Sequence, residues 1–248
     1  MKKISIIIPA YNEASFIEEL LYRVEAVSLS SEGFDKEIIV VDDGSTDSTA
    51  DLAEKHSSVL VIRKENGGKG SAVQAGIKNA TGDWILIQDA DLEYNPDDYI
   101  PIVRSLNKYG DKTAVYGSRF LGQIREHGFC RVFPGKHPLQ GLGPWFMNII
   151  LCLESFILFG KIITDNLTGY KLYPAMLLKQ HSFVTSGFEG DHEITCLLLR
   201  KGYAIQEVPI QYTPRTQEEG KKIRMRDGFI ALWTFVRCRF ARGKAWQS

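Results

Sequence analysis

No two of the four cysteines (Cys130, Cys152, Cys196 and Cys238) stand at metal-site spacing, and none suggests a small disulfide framework. That usage fits a reducing compartment. Neither sign of charge is in excess. Lys and Arg total 30 and Asp and Glu total 30, so no overall field draws the chain to nucleic acid. No run of about eighteen apolar residues marks a membrane span. Met1-Lys2-Lys3 ahead of Ile4 to Ile8 imitates a signal peptide, but Pro9, Asn12 and Glu13 cut the apolar run short. The P-loop spacing G-x-x-x-x-G-K-[ST] does not occur, and no strand leads into G-x-G-x-x-G with an acidic residue downstream. ATP-binding P-loop and dinucleotide folds are thereby set aside. With 248 residues the chain has room for a substantial core, as one α/β domain or two small ones.

The stretch that organises the rest is Trp84-Ile85-Leu86-Ile87-Gln88-Asp89-Ala90-Asp91-Leu92-Glu93, an apolar strand running into alternating carboxylates. In extended chain, alternate residues share a side, so Asp89, Asp91 and Glu93 are expected to converge at a strand end. Three hard oxygen ligands suit Mg²⁺ or Mn²⁺, which keep positions open for water and substrate phosphates. The plainer reading is a polar strand cap followed by the turn Asn95-Pro96-Asp97-Asp98.

The surroundings favour the metal. Short β-branched strands are expected at 4–9, 36–41, 58–63 and 83–88, with helices from Ser15, from Asp47 or Ser48 to about Lys55, and over 71–79. This alternation predicts a mostly parallel sheet with helices on both faces, whose ligands sit beyond the carboxyl ends of the strands. Loops 9–13, 42–47 and 66–70 and the acidic cluster all fall on that edge. There Tyr11 offers a flat face for a base, Glu13 an acceptor for a hydroxyl and Asp42 an acceptor for a nucleobase or ribose. Lys69 lies in the glycine-rich loop Asn66-Gly67-Gly68-Lys69-Gly70, where an ammonium can reach a phosphate or a base edge. Singly these are a packing aromatic, a helix-side cap and a solvated charge; together they predict a nucleoside-diphosphate site.

Ile-Ile-Pro-Ala-Tyr-Asn-Glu (7–13), Val-Val-Asp-Asp-Gly-Ser-Thr-Asp (40–47), Gly-Gly-Lys-Gly (67–70) and Asp-Ala-Asp (89–91) resemble the family 2 glycosyltransferases of GT-A fold. More narrowly, the chain resembles the branch of dolichyl-phosphate mannose synthases and bacterial polyprenyl-phosphate glycosyltransferases. The resemblance implies a nucleoside-diphosphate-sugar donor held by Pro9, Tyr11, Glu13, Val40 and Asp42. It implies a divalent cation, Mg²⁺ or Mn²⁺, with Asp89, Ala90, Asp91 and Glu93 around metal and diphosphate. Arg215 and Lys221, six apart as in that branch, would clamp the diphosphate.

In the second half, a strand at 113–117 leads into Ser118-Arg119. The planar guanidinium of Arg119 suits phosphate, and in the family branch a Gly-Ser-Arg here faces the acceptor phosphate. Residues 122–143, with Arg125, Arg131, Lys136, His127 and His137, read as a mobile basic loop; Arg131 is its candidate acceptor contact. Trp145 to Phe159 is apolar nearly all round but too short to span a bilayer, which predicts one face in the core and one on membrane or partner. Asp165 to Lys171 resembles the Asp-x-x-(Ser/Thr)-Gly-(Phe/Tyr) turn of the same branch, with Gly169 permitting a tight backbone. A helix from Gly187 to Lys201 carries Asp191 and Glu193, either a general base for a hydroxyl acceptor or cap residues. Pro209 marks 203–212 as an edge strand. The amphipathic, arginine-flanked stretch 227–240 suits an anionic membrane surface, or a homo-oligomer contact nearly as well. Relatives in this branch often continue into membrane spans; this chain is expected to attach peripherally at the cytoplasmic face.

The expectation is one GT-A α/β domain over 1–248: a nucleotide-sugar half (1–115), an acceptor half (116–226) and an amphipathic C-terminal helix (227–248). Its expected activity is inverting transfer of a sugar to a polyprenyl or dolichyl phosphate. The alternatives are transfer to a sugar hydroxyl with Asp191 as base, and a catalytically silent nucleotide-sugar-binding protein.

Overall fold

The computed structural model describes residues 1–128, 142–214, 225–242 and 246. Its sheet has the strand order β3-β2-β1-β4-β6-β5-β7, built from β1 (Lys2–Ala10), β2 (Phe34–Asp42), β3 (Val59–Arg63), β4 (Trp84–Ile87), β5 (Thr113–Ser118), β6 (Lys171–Pro174) and β7 (Ala204–Pro209). Ile-Ile and Val-Val runs favour these strands because branched side chains pack well on a pleated surface. β1 pairs in parallel with β2 and β4, and β2 with β3. β6 enters in reverse, antiparallel to β4 and β5, while β5 and β7 are parallel. The mostly parallel α/β sheet thus has a single reversed strand among the described residues, where the sequence reading places no strand. Lys171-Leu172-Tyr173-Pro174 is short, opens on a lysine and closes on a proline, so it gives no strand pattern.

Alternation along β1 divides the core. Ile4, Ile6 and Ile8 face α1 (Ile17–Ala26), α2 (Thr49–Ala53) and α4 (Tyr99–Tyr109) through Leu20, Leu21, Ala53, Ile102 and Val103. Ile7 faces α3 (Lys69–Asn79), α7 (Ala175–Gln180) and α8 (Gly190–Arg200). α6 (Leu142–Phe159) and α9 (Met225–Phe240) pack outside α8 through Met147, Leu151, Cys196, Phe235 and Cys238. Residues 122–127 of the expected mobile loop instead belong to helix α5 (Arg119–His127). Ser118 caps it by accepting a hydrogen bond from Leu121 N, 3.1 Å. The remainder of that loop, 129–141 with Arg131, lies outside the described residues.

Candidate functional site

The carboxyl ends of β1 and β2 lie side by side, with Ala10 opposite Asp42. The loops that follow are clasped together. Asn12, at φ 53°, accepts from Thr46 N (2.8 Å) and donates its own N–H to Ser45 Oγ (3.0 Å). That left-handed backbone suits asparagine better than most side chains. Pro9 is half-buried, Val40 and Asp42 are buried, and Tyr11 stands 39 % exposed at the rim. Glu13 is buried and its N–H donates to Thr49 Oγ1. Asp43, which the sequence reading passed over, does structural work beside Asp42. Its two oxygens accept from Gly67 N (3.0 Å) and Gly68 N (2.7 Å), and Lys64 pairs with it. One carboxylate thereby ties the glycine loop to the end of β2.

Lys69 is not on a flexible loop. It is the first residue of α3, its side chain only 15 % exposed, with Nζ 2.6 Å from Asp89 and 3.9 Å from Asp191. Burial alone would lower its pKa, but the charges of Asp89, Asp191 and Asp91 outweigh that and raise it. The ammonium therefore stays charged within a cluster of carboxylates.

The acidic stretch departs from the expected alternation. β4 ends at Ile87 and the chain turns at 90–93, so Asp89, Asp91 and Glu93 do not line one side of a strand. Among the described residues no three His, Cys, Asp or Glu side chains form a ready metal cage. Asp89 is engaged by Lys69, and Glu93 accepts from Tyr212 Oη at 2.8 Å. Ala90 is buried between Asp89 and Asp91. Beneath them, Gln88 Oε1 accepts from the hydroxyls of both Tyr99 (2.6 Å) and Tyr170 (2.5 Å), which fixes the strand end. Gly169 fits its expected role. A Cβ there would stand 2.4 Å from Asp89 Oδ2, and its N–H donates to Tyr94 Oη.

Across the edge, Arg119 follows β5 and is held by Asp165, which is fully buried. Nε and Nη2 donate to the two carboxylate oxygens at 2.7 and 2.8 Å, and the Arg119 N–H adds a third bond. Burial would lower the guanidinium pKa, and the Asp165 charge more than reverses it. The guanidinium also lies 4.9 Å from the centre of the Tyr212 ring. Glu207 on β7 fixes Asp165 in turn, accepting from Thr164 N and Oγ1 and from Asp165 N. An arginine has five N–H donors, and among the described residues this pairing occupies one edge of the fork. Tyr212 touches both Arg119 and Glu93 and so joins the acceptor candidate to the acidic turn.

Of the two carboxylates considered as base, Glu193 is consumed inside the protein. It is fully buried and accepts from His181 Nε2, Val184 N, Thr185 N and Thr185 Oγ1. Asp191, 18 % exposed, faces Lys69. Next to it His192 is held neutral. Burial first, then Lys171 and Lys69, press its pKa down to about 3. Lys171 is itself buried, with Nζ donating to Asn166 O at 3.2 Å.

α6 has the two faces expected of it. Met147, Asn148, Leu151 and Ser155 point inward, while Phe146, Leu153, Phe156 and Ile157 are at least half exposed. Phe229, Trp233 and Phe240 of α9 are exposed as well, and Arg239 donates to Leu158 O across the pair. Among the described residues no helix is long and apolar enough to cross a membrane. Arg215 and Lys221 lie outside the described residues.

This is the architecture of a nucleotide-diphospho-sugar transferase of GT-A type. The Glycosyl transferase family 2 profile matches residues 5–131, and the chain belongs to that family. A dolichol-phosphate mannosyltransferase of Pyrococcus furiosus is 40% identical over 191 residues, 71% of this chain and 53% of its own length. A dolichyl-phosphate beta-glucosyltransferase of Trichomonas vaginalis is 29% identical over 246 residues, 92% of this chain and 70% of its own length. The chain thus spans about half the length of the first of these relatives and 70% of the second. Glucosyl-3-phosphoglycerate synthase of Mycobacterium tuberculosis, solved with UDP, shares the fold at a TM-score of 0.70 and 18% identity, covering 98% of this chain and 82% of its own. The same enzyme has also been solved with Mn²⁺, UDP and phosphoglyceric acid.

Proposed function

We propose that this chain transfers a sugar, with inversion, from a nucleoside-diphosphate sugar to a polyprenyl or dolichyl phosphate. The observation that carries the reading is the locked guanidinium of Arg119, set beside the acidic turn with one donor edge left over. A phosphate acceptor is already ionised near neutral pH and needs no base, in keeping with the burial of Glu193 and the pairing of Asp191 with Lys69.

Pro9, Tyr11, Glu13, Val40 and Asp42 would seat the nucleoside. The residues present fit a divalent cation in their chemistry: Asp91 at the head of the turn, with Asp89 and Glu93 flanking it, offers hard oxygens that suit Mg²⁺ or Mn²⁺. When bound there, the ion would neutralise charge on the departing diphosphate. Arg119 would hold the acceptor so that one phosphate oxygen forms its bond to the anomeric carbon as the bond to the diphosphate breaks. Proximity supplies much of the acceleration. Arg131 would add to the acceptor side, and Arg215 with Lys221 would meet the leaving group. The exposed apolar faces of α6 and α9, with Arg237 and Arg239, would rest on the cytoplasmic surface of a membrane, where the acceptor's tail lies.

A donor panel (GDP-mannose, UDP-glucose and UDP-N-acetylglucosamine) with Mg²⁺ or Mn²⁺, with and without a short polyprenyl phosphate, tests this. Nucleoside diphosphate release that requires the lipid phosphate is the expected outcome. Release only with a saccharide acceptor, lost in Asp191→Asn, would move the chemistry to a hydroxyl. Metal-dependent nucleotide binding without any turnover would leave a silent binding protein.

A further inference from the structure

Lys69 is held by backbone on both sides. A Cβ at Gly68 would come within 2.9 Å of Ser186 O, and one at Gly70 within 2.7 Å of Gly187 O. Ser71 N donates to Ser186 O at 2.9 Å, and Gln74 Nε2 to Thr185 O at 2.6 Å. The start of α3 is thus pressed against the loop that leads into α8, and glycine is what permits that approach. Between them the ammonium meets Asp89 at the donor edge and Asp191 at the acceptor edge, and the field of Asp91 reaches it too. Like charges crowd at a partly buried site only with a countercharge. The neighbouring Lys171 is committed to Asn166 O.

We propose that Lys69 is a positioning residue and the site's resident countercation: it holds Asp89 and Asp191 to each other before any divalent ion arrives, and it yields Asp89 and turns to the diphosphate when metal and nucleotide bind. The inference rests on the proposed metal and diphosphate site at Asp91. It accounts for the Gly-Gly-Lys-Gly pattern as a unit, the glycines for approach and the lysine for charge. It also gives binding effects of opposite sign. Removing the ammonium leaves the carboxylates more negative, which tightens a bare cation, and strips a positive charge from the diphosphate, which loosens the nucleotide.

The test is binding rather than turnover. Free Mn²⁺ is followed by electron paramagnetic resonance on nucleotide-free protein, and GDP and UDP are titrated calorimetrically in EDTA. Lys69→Met is expected to bind Mn²⁺ about tenfold tighter and the preferred nucleotide at least about tenfold weaker, with Lys69→Arg close to the parent in both. A lysine that only supports the fold would weaken both ligands, and one that only grips phosphate would leave Mn²⁺ unchanged; either result overturns the proposal. Should Lys69→Met fail to fold, Asp191→Asn serves instead. There Lys69 turns wholly to Asp89 and Mn²⁺ affinity is expected to fall about threefold, an unchanged affinity again overturning it. If the parent turns over donor but Mn²⁺ affinity ignores position 69, this inference alone fails. If neither protein binds Mn²⁺, the metal reading fails and takes the inference with it.

Discussion

Lys69 and Arg119 occupy equivalent places at opposite edges of the site. Each is the first residue of a helix, each side chain is 15 % exposed, and each is paired with carboxylate. The pairings differ in kind. Lys69 is a point charge divided between Asp89 and Asp191, which belong to separate elements and lie at unequal distances, 2.6 and 3.9 Å. Arg119 is a planar fork closed on one carboxylate at 2.7 and 2.8 Å, and the backbone N–H of that aspartate donates to Glu207 behind it. A point charge tolerates rearrangement of its partners, while a bidentate fork does not. The Lys69 pairing can therefore rearrange, while the Arg119 pairing holds one geometry.

Substitutions can break that contrast. The largest effect is expected from Asp91→Ala, which should cut nucleoside diphosphate release about a thousandfold, since metal stabilisation of the leaving group is worth several kcal/mol. Its chemical denaturation should match the parent, and near-normal turnover would sink the assignment of Asp91. Arg119→Lys keeps the charge and loses the fork. The acceptor KM should rise about tenfold or more while donor affinity stays put, so an equal loss on both sides would erase the distinction between the edges.

Glu193→Gln probes the wall behind the site rather than either edge. Its carboxylate accepts several buried hydrogen bonds, so the change should cost about 1–3 kcal/mol in calorimetric unfolding, with kcat retained. Burial opposes ionisation of Glu193, but its bonds to His181 and Thr185 prevail and hold its pKa below 4.5. That stabilisation is full at neutral pH and disappears as pH falls below about 4.5 through the lowered value, so the variant should lose this acid-limb dependence. The smallest effect is expected at Glu154 on α6. Its buried Oε2 has no hydrogen-bond partner among the described residues, and burial raises its pKa to about 7. The folded state then binds the extra proton, and stability should decline from about pH 4.5 to pH 7. Glu154→Gln should remove that decline and raise the melting temperature at pH 8 by about 2–4 °C.

The first half of the chain is legible in the sequence because each strand there is a β-branched run closed by its own short motif. The strands at 4–9, 36–41, 58–63 and 83–88 are all present, with ends shifted by a residue or two. Arg119, Asp91 and Lys69 stand out in the sequence, but which residues pair with them does not. Asp165 lies 46 positions from Arg119, and Tyr212 lies 119 from Glu93. No local pattern links residues so far apart. Helix α5 was missed because Gly122 and the charged residues around it obscure its apolar stripe. Strand alternation predicts convergence of Asp89, Asp91 and Glu93, but it stops at Ile87 and the turn beyond it follows a different geometry.

The reversed strand β6 has a consequence for how such a protein can change. The chain leaves the sheet after Ser118 and re-enters at Lys171, whose neighbour on β5 is Tyr116, while Gly117 N donates to Tyr170 O at 2.8 Å. Exit and entry are therefore adjacent, and everything from α5 through α6 is an excursion that begins and ends at one spot. Such a segment can be lengthened, shortened or exchanged without shifting the register of any other strand. It is a cassette that carries Arg119 and its partner Asp165 together.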